Sequence, residues 1–111
     1  MEYQHKQQAG GKWATHSLLF QMANIGSEVS RALKWQSKNP EIAGRAFDRS
    51  LELFDLTIAD KKNLHRLKEI LRGRELWVDF FACDNIYNST RGSWEKYFLA
   101  FAVAINNKKV S

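Results

Sequence analysis

Arg74 stands where an apolar side chain is expected. Leu67, Ile70, Leu71, Trp77, Val78 and Phe81 surround it at helical spacing, so its guanidinium falls on or beside an apolar stripe. A guanidinium does not shed its proton, and in such a place it needs a carboxylate or a path to water. Glu28 and Asp79 are the candidate partners. Such an arginine can clamp a phosphate or carboxylate inside the fold, or it can be a paired or snorkelling arginine that fixes helix register. Asn24, Glu28 and Arg31 follow one another at i, i+4 and i+7. They form either a solvated face closed by a Glu28–Arg31 pair, or a polar seam that recognises a ligand or partner. A third group lies between Asp84 and Arg91, where Asn85, Tyr87, Asn88, Ser89, Thr90 and Arg91 combine one aromatic ring with several donors. That composition suits a binding loop and equally a plain helix connection.

Other chemistries lack their residues. His5, His16 and His65 are far apart, and none has a second histidine or a cysteine three or four positions away. Glu-x-x-His occurs once, at Glu2–His5 in the polar start, and not on each of two helices as diiron bundles require, so neither a metal site nor a cofactor is expected. There is no Gly-x-x-x-x-Gly-Lys-Ser/Thr run and no nucleophile-elbow sequence. Cys83 is the single cysteine, which excludes an internal disulfide; near a helix C-terminus it lacks an activating positive field and is expected to be structural and half-buried. No catalytic residue emerges.

The elements that must position these residues are helices. A first pattern runs from about Lys12 to Lys38, with Leu19, Met22, Ala23, Gly26, Val29 and Leu33 on one face. Gly26 costs about 1 kcal/mol relative to alanine in mid-helix, which predicts close approach of a neighbouring helix there. Asn39-Pro40-Glu41 is a helix start, with cap, first-turn proline and first-turn acid. Ala43, Phe47, Leu51, Phe54 and Ile58 carry the second helix. Asp60 or Asn63 caps a third, which begins its stripe at Leu64 and ends near Cys83. Ser93 caps a fourth, running through Trp94, Tyr97, Phe98, Phe101, Ala102 and Ile105 before decaying at Asn106–Lys109. Nothing alternates like a strand. Three short connections predict an all-α, antiparallel up-down-up-down four-helix bundle over residues 12–109, behind a frayed polar segment at 1–11. Trp13, Trp77 and Trp94 suit core or rim positions, and Trp35, off the stripe, suits an interface.

The 111 residues fit one domain, and seventeen Lys/Arg against twelve Asp/Glu give +5 without a run of five like charges. No apolar run approaches the roughly 18 residues a membrane span needs, and the first residues lack the apolar core of a secretory signal, so the cytoplasm is expected.

The segments Gln21–Ala32 and Ala46–Asp60, continued in Leu67–Ile70, Arg74-Glu75, Asp84–Thr90 and Trp94–Phe98, are similar to a family of small bacterial four-helix-bundle proteins. The resemblance covers most of residues 20–102 and implies the fold without an activity. That group in turn distantly resembles HEPN-type bundles, several of which are RNA-cleaving toxins or pair with small nucleotidyltransferases. HEPN nucleases place four to six residues between an arginine and a histidine. Here the corresponding positions are Ala9, Gly10 and Gly11 before His16, and Ile58, Ala59 and Asp60 before His65, so the nuclease motif is absent.

Three functional expectations follow. The first is a non-catalytic interaction module, a homo-oligomer serving a protein partner, with a nucleotidyltransferase as the kind of partner the resemblance implies. The second is an RNA-binding or RNA-acting protein of a toxin–antitoxin type system, using Lys61, Lys62, Arg66, Arg72 and Arg91. The third is a small-ligand binder built on Arg74 with Glu28, Asp79 or Tyr87.

Overall fold

A computed structural model describes residues 11–110, with the backbone alone at 102 and 104–110. Those residues form four α-helices and no strand: α1 Leu18–Trp35, α2 Pro40–Ala59, α3 Leu67–Ala82 and α4 Arg91–Val110. The segment expected to fray at 1–11 lies outside the described residues except for Gly11, as does His5. None of the described helices is long and apolar enough to cross a membrane.

Local chemistry sets the boundaries. The first helical pattern breaks in two. Trp13–Thr15 makes a 3-10 turn, the chain extends at His16, and α1 starts after Ser17, whose hydroxyl accepts the Phe20 N–H at 3.2 Å. Asn39 caps α2 as expected, its Oδ1 accepting from Ile42 N, with Pro40 at the first helical position. Asp60 also caps, but what it caps is a 3-10 segment, Lys61–Arg66, that precedes α3. Asn63 is no cap; it is buried. Leu64, counted above into the third stripe, is instead an exposed residue of the 3-10 segment. At α4 the cap falls three residues earlier than Ser93. The Thr90 hydroxyl accepts the Ser93 N–H at 3.0 Å while Ser93 Oγ accepts the Thr90 N–H at 3.1 Å, so two orphan donors are satisfied reciprocally.

α1 is the central element. It packs along α2 and against α4, and α2 also carries α3. The contact with α4 depends on Gly26: a Cβ there would sit 2.6 Å from Phe98 Cβ and 2.9 Å from its Cγ. The glycine expected to admit a neighbouring helix therefore does so. The buried face of α2 is rotated from the expected one, through Ala43, Ala46, Ser50, Leu53, Phe54 and Thr57, with Phe47, Leu51 and Ile58 at its margin. Small residues let α1 come close, and the two hydroxyls are spent internally. Ser50 accepts the Trp77 indole N–H at 2.9 Å, and Thr57 accepts that of Trp13 at 3.0 Å. Trp13, Trp77 and Trp94 are buried, as their types suggested, while Trp35 is half-buried under Lys34. Between α3 and α4 large rings do the packing, with Trp77 edge-on to Trp94 at 5.5 Å and Trp94 stacked on Phe98 at 6.0 Å.

A buried polar cluster joins the start of the described chain to the middle. Gln21 donates to the Trp13 carbonyl at 2.9 Å and to Asp60 at 2.8 Å. Asn63 donates to Gln21 Oε1 at 2.8 Å and to the Thr57 carbonyl at 3.0 Å. Lys62 closes it with an ion pair to Asp60 and a bond to the Ala14 carbonyl.

Candidate binding groove

The side chains singled out in the sequence separate in space. Arg74, Asp79 and Tyr87 line one open groove on the outer face of α3, together with Leu71, Glu75 and Val78 of that helix and Cys83, Asp84 and Ile86 of the following loop. Its volume is about 540 Å³, within the ordinary range for a ligand or side-chain pocket. Asn24, Glu28 and Arg31 of α1, and Arg91 of α4, are not part of it.

Arg74 has a carboxylate partner, and it is neither Glu28 nor Asp79. Its Nε lies 2.8 Å from Asp55 Oδ1 on α2 and its Nη2 lies 3.4 Å from Oδ2. At 32% and 49% side-chain exposure the pair bridges two helices at the surface and does not hold a charge in the core. A clamp buried inside the bundle is thereby corrected: helical spacing put Arg74 beside the stripe, and its long stem carries the guanidinium outward to Asp55. Exposed pairs of this kind contribute about 0–1 kcal/mol. Arg74→Met should therefore lower stability by no more than about 1 kcal/mol in a urea melt; a loss of several kcal/mol would mean that Asp55 is left buried and unpaired.

Glu28 pairs with Arg49 of α2 at 3.2 Å, where a Glu28–Arg31 pair was expected. Arg31 is exposed, and Asn24 turns back to the Phe20 carbonyl at 2.8 Å. Glu28 thus ties α1 to α2, while Asn24 bonds within its own helix. Arg91 reaches Glu95 at 3.0 Å on its own helix.

Asp79 builds the groove wall. Its buried carboxylate accepts the backbone N–H groups of Ile86 at 3.0 Å and Tyr87 at 3.2 Å, and its carbonyl accepts from Cys83 and Asn85. Asn85, in the left-handed region at φ 53°, bridges both backbone groups of Ser89, and Asn88 at φ 57° completes the turn. The loop is thus wound around two side chains, which hold Ile86 and Tyr87 outward. Tyr87 is steadied on both sides: its hydroxyl donates to Glu75 at 2.9 Å, and the Arg72 guanidinium lies 4.5 Å above its ring.

What the groove offers is apolar surface with an acidic border. Ile86 is 70% exposed and Leu71 45%, beside the Tyr87 ring. Its charged lining is one arginine, already paired, against Glu75, Asp79 and Asp84, on a chain that carries a net positive charge. Cys83, expected to be half-buried, is exposed at its edge. No cluster of three or more metal-ligating side chains occurs among the described residues. Sequence reading missed Ile86 and Leu71 as site residues because an isolated apolar residue in a loop or stripe carries no sign of its exposure. No protein-family model, curated protein or solved structure matches the chain.

Proposed function

We propose that this protein is a non-catalytic interaction module that self-associates and serves a partner protein, with the groove on α3 as the partner's seat. The observation that carries the reading is the grouping of Leu71, Ile86 and Tyr87 as exposed apolar surface in a groove where three of the polar side chains are already engaged. Asp79 holds the loop, Arg74 holds Asp55, and Glu75 holds Tyr87. Groups so engaged are poor acids, bases or nucleophiles, whereas apolar side chains within an acidic border complement a segment that presents apolar residues flanked by lysine or arginine. The same proposal includes a cytoplasmic setting, an antiparallel up-down-up-down order of the helices, and kinship with the small bacterial bundles, distantly HEPN-like, whose relatives pair with nucleotidyltransferases. For self-association the favoured surface is the outer side of α4, where Leu99 and Val103, one turn apart, are both exposed.

An RNA-acting role is less well supported. Of the basic residues expected to carry it, Lys62 is bound to Asp60, Arg66 to Glu69, Arg72 to Glu75 and Arg91 to Glu95. Phosphate contacts would have to compete with each of these carboxylates.

Affinity purification from the native cells at low salt, with protein and RNA identified together, tests the proposal. A stoichiometric protein should be recovered with the wild type, lost with Ile86→Asp, and retained with Leu99→Asp. Recovery of RNA that is released by added salt would replace this reading with the nucleic-acid one.

A further inference from the structure

A second hollow lies on the opposite flank of the same helix, between α3 and α4. It encloses about 420 Å³ and is lined by Glu69, Arg72, Gly73, Leu76, Ser89, Ser93, Trp94 and Tyr97. The space exists because the rings hold the two helices apart and because Gly73 contributes no side chain to the floor. A Cβ built there would meet nothing nearer than the Tyr97 hydroxyl at 3.7 Å and Phe54 at 3.8 Å. Walls of indole, leucine and helix backbone at Gly73 accept a flat apolar body.

Two polar groups, the Arg72 guanidinium and the Tyr97 hydroxyl, border this hollow. Arg72 stands at its rim, lying over the Tyr87 ring and 3.7 Å from Glu75, the longest but one of the ion pairs among the described residues, so an anion bound there would compete with that carboxylate for its donors. Glu69, the only acid of the lining, is neutralised by Arg66 at 2.7 and 2.9 Å. The Tyr97 hydroxyl makes no hydrogen bond among the described residues. Burial raises its pKa above the ordinary 10.0, with Glu69 adding and Arg66 opposing, so it remains a protonated donor at neutral pH. Trp94, 5% exposed, has its Nε1–H buried without a partner among the described residues, a condition natural interiors rarely leave in place.

We infer that the α3–α4 cleft is a binding site for a compact aromatic anion, its ring lying between Trp94, Leu76 and the Gly73 backbone and its charge meeting Arg72. The inference does not rest on the groove reading, although Arg72 at the rim of the cleft also lies over Tyr87 of the groove, so Gly73→Met is the variant that reports on the cleft alone.

The probe is 8-anilinonaphthalene-1-sulfonate, which has a planar aromatic body and one anionic group, titrated by fluorescence into the full-length protein. One saturable site per chain is expected. Gly73→Met, whose first carbon fits and whose remainder fills the cleft, and Arg72→Glu, at the exposed rim, should each weaken binding at least tenfold while circular dichroism stays that of the wild type. Ile86→Asp should leave the titration unchanged. Should Gly73→Met fail to fold, Arg72→Glu together with Tyr97→Phe decides the matter, because neither change disturbs the packing of the floor. Non-saturating binding, binding indifferent to the cleft variants, or binding abolished by Ile86→Asp alone overturns the inference.

Discussion

Gly26→Leu should dislodge α4 and lower stability by about 3 kcal/mol or more, since overpacking a filled site costs about 1–3 kcal/mol for small insertions. The geometry leaves no cheap escape. The first added carbon would lie 2.6 Å from Phe98 Cβ, an atom fixed to the α4 backbone that no rotamer change can move. Only a shift of the whole helix relieves the clash, and that shift would disturb the stack of Phe98 on Trp94 and the edge contact of Trp94 with Trp77. Gly26→Ala poses a finer test, because helix propensity returns about 1 kcal/mol while the clash opposes it. Gly44 supplies the control. It sits on α2 with nothing within 4 Å of its would-be Cβ, so Gly44→Ala should gain about 0.5–1 kcal/mol. Urea unfolding followed by tryptophan emission measures all three. A Gly26→Ala protein as stable as Gly44→Ala would refute the close approach of α1 and α4.

The second large effect is expected at Asn63. Asn63→Leu removes the donor that satisfies both Gln21 Oε1 and the Thr57 carbonyl, in a place sealed from water. Gln21 Oε1 is left without a donor, while the Thr57 carbonyl keeps the Asp60 N–H at 3.3 Å, so a loss of about 1–3 kcal/mol is expected. Because Gln21 and Asn63 belong to one network, Gln21→Leu combined with Asn63→Leu should cost less than the two single changes added together. Additive losses would mean that the two side chains act separately. The network also gives stability an acid limit. Burial alone would raise the Asp60 carboxyl, but hydrogen bonds from the Lys62 ammonium, Gln21 and the Lys62 backbone, with the Lys62 charge, outweigh it and hold the pKa below the usual 3.8. A depressed carboxylate contributes stability that is present above its unfolded pKa and lost as the pH falls through its folded one. The wild type should therefore weaken below about pH 4, and Asp60→Asn should lose that part of the pH dependence.

Helix existence was legible in the chain, and so were the reasons for particular residues. Gly26, the Asn39-Pro40 start and the end of α3 at Cys83 followed from spacing and cap chemistry alone. The buried face of α2 did not, because Ala46, Ser50 and Thr57 carry little hydrophobic signal and count as core only once α1 and Trp77 are seen against them. Gln21 shares its helical face with Leu18 and Ile25, and a polar residue in that position was the available clue to the Trp13–Asn63 cluster. The site proved harder. Arg74 was recognised as anomalous, yet its partner Asp55 lies nineteen positions away on another helix, and sequence spacing cannot choose among distant carboxylates. Asp79 was selected for its charge and turned out to organise the loop through two backbone N–H groups, a role that depends on the turn geometry of Asn85 and Asn88.

The Trp13 indole reaches Thr57 across forty-four positions of chain, and Asn63 reaches Gln21 across forty-two. Contacts of that span form only after the intervening segments have met, since the entropy of closing such a loop comes before any reward. The packing of α1 on α2, which a short connection joins, is the local event that brings the two ends of the clasp within reach. Trp13 and Asn63 are therefore expected to close late in folding, tying the leading edge of the described chain to a unit assembled before it.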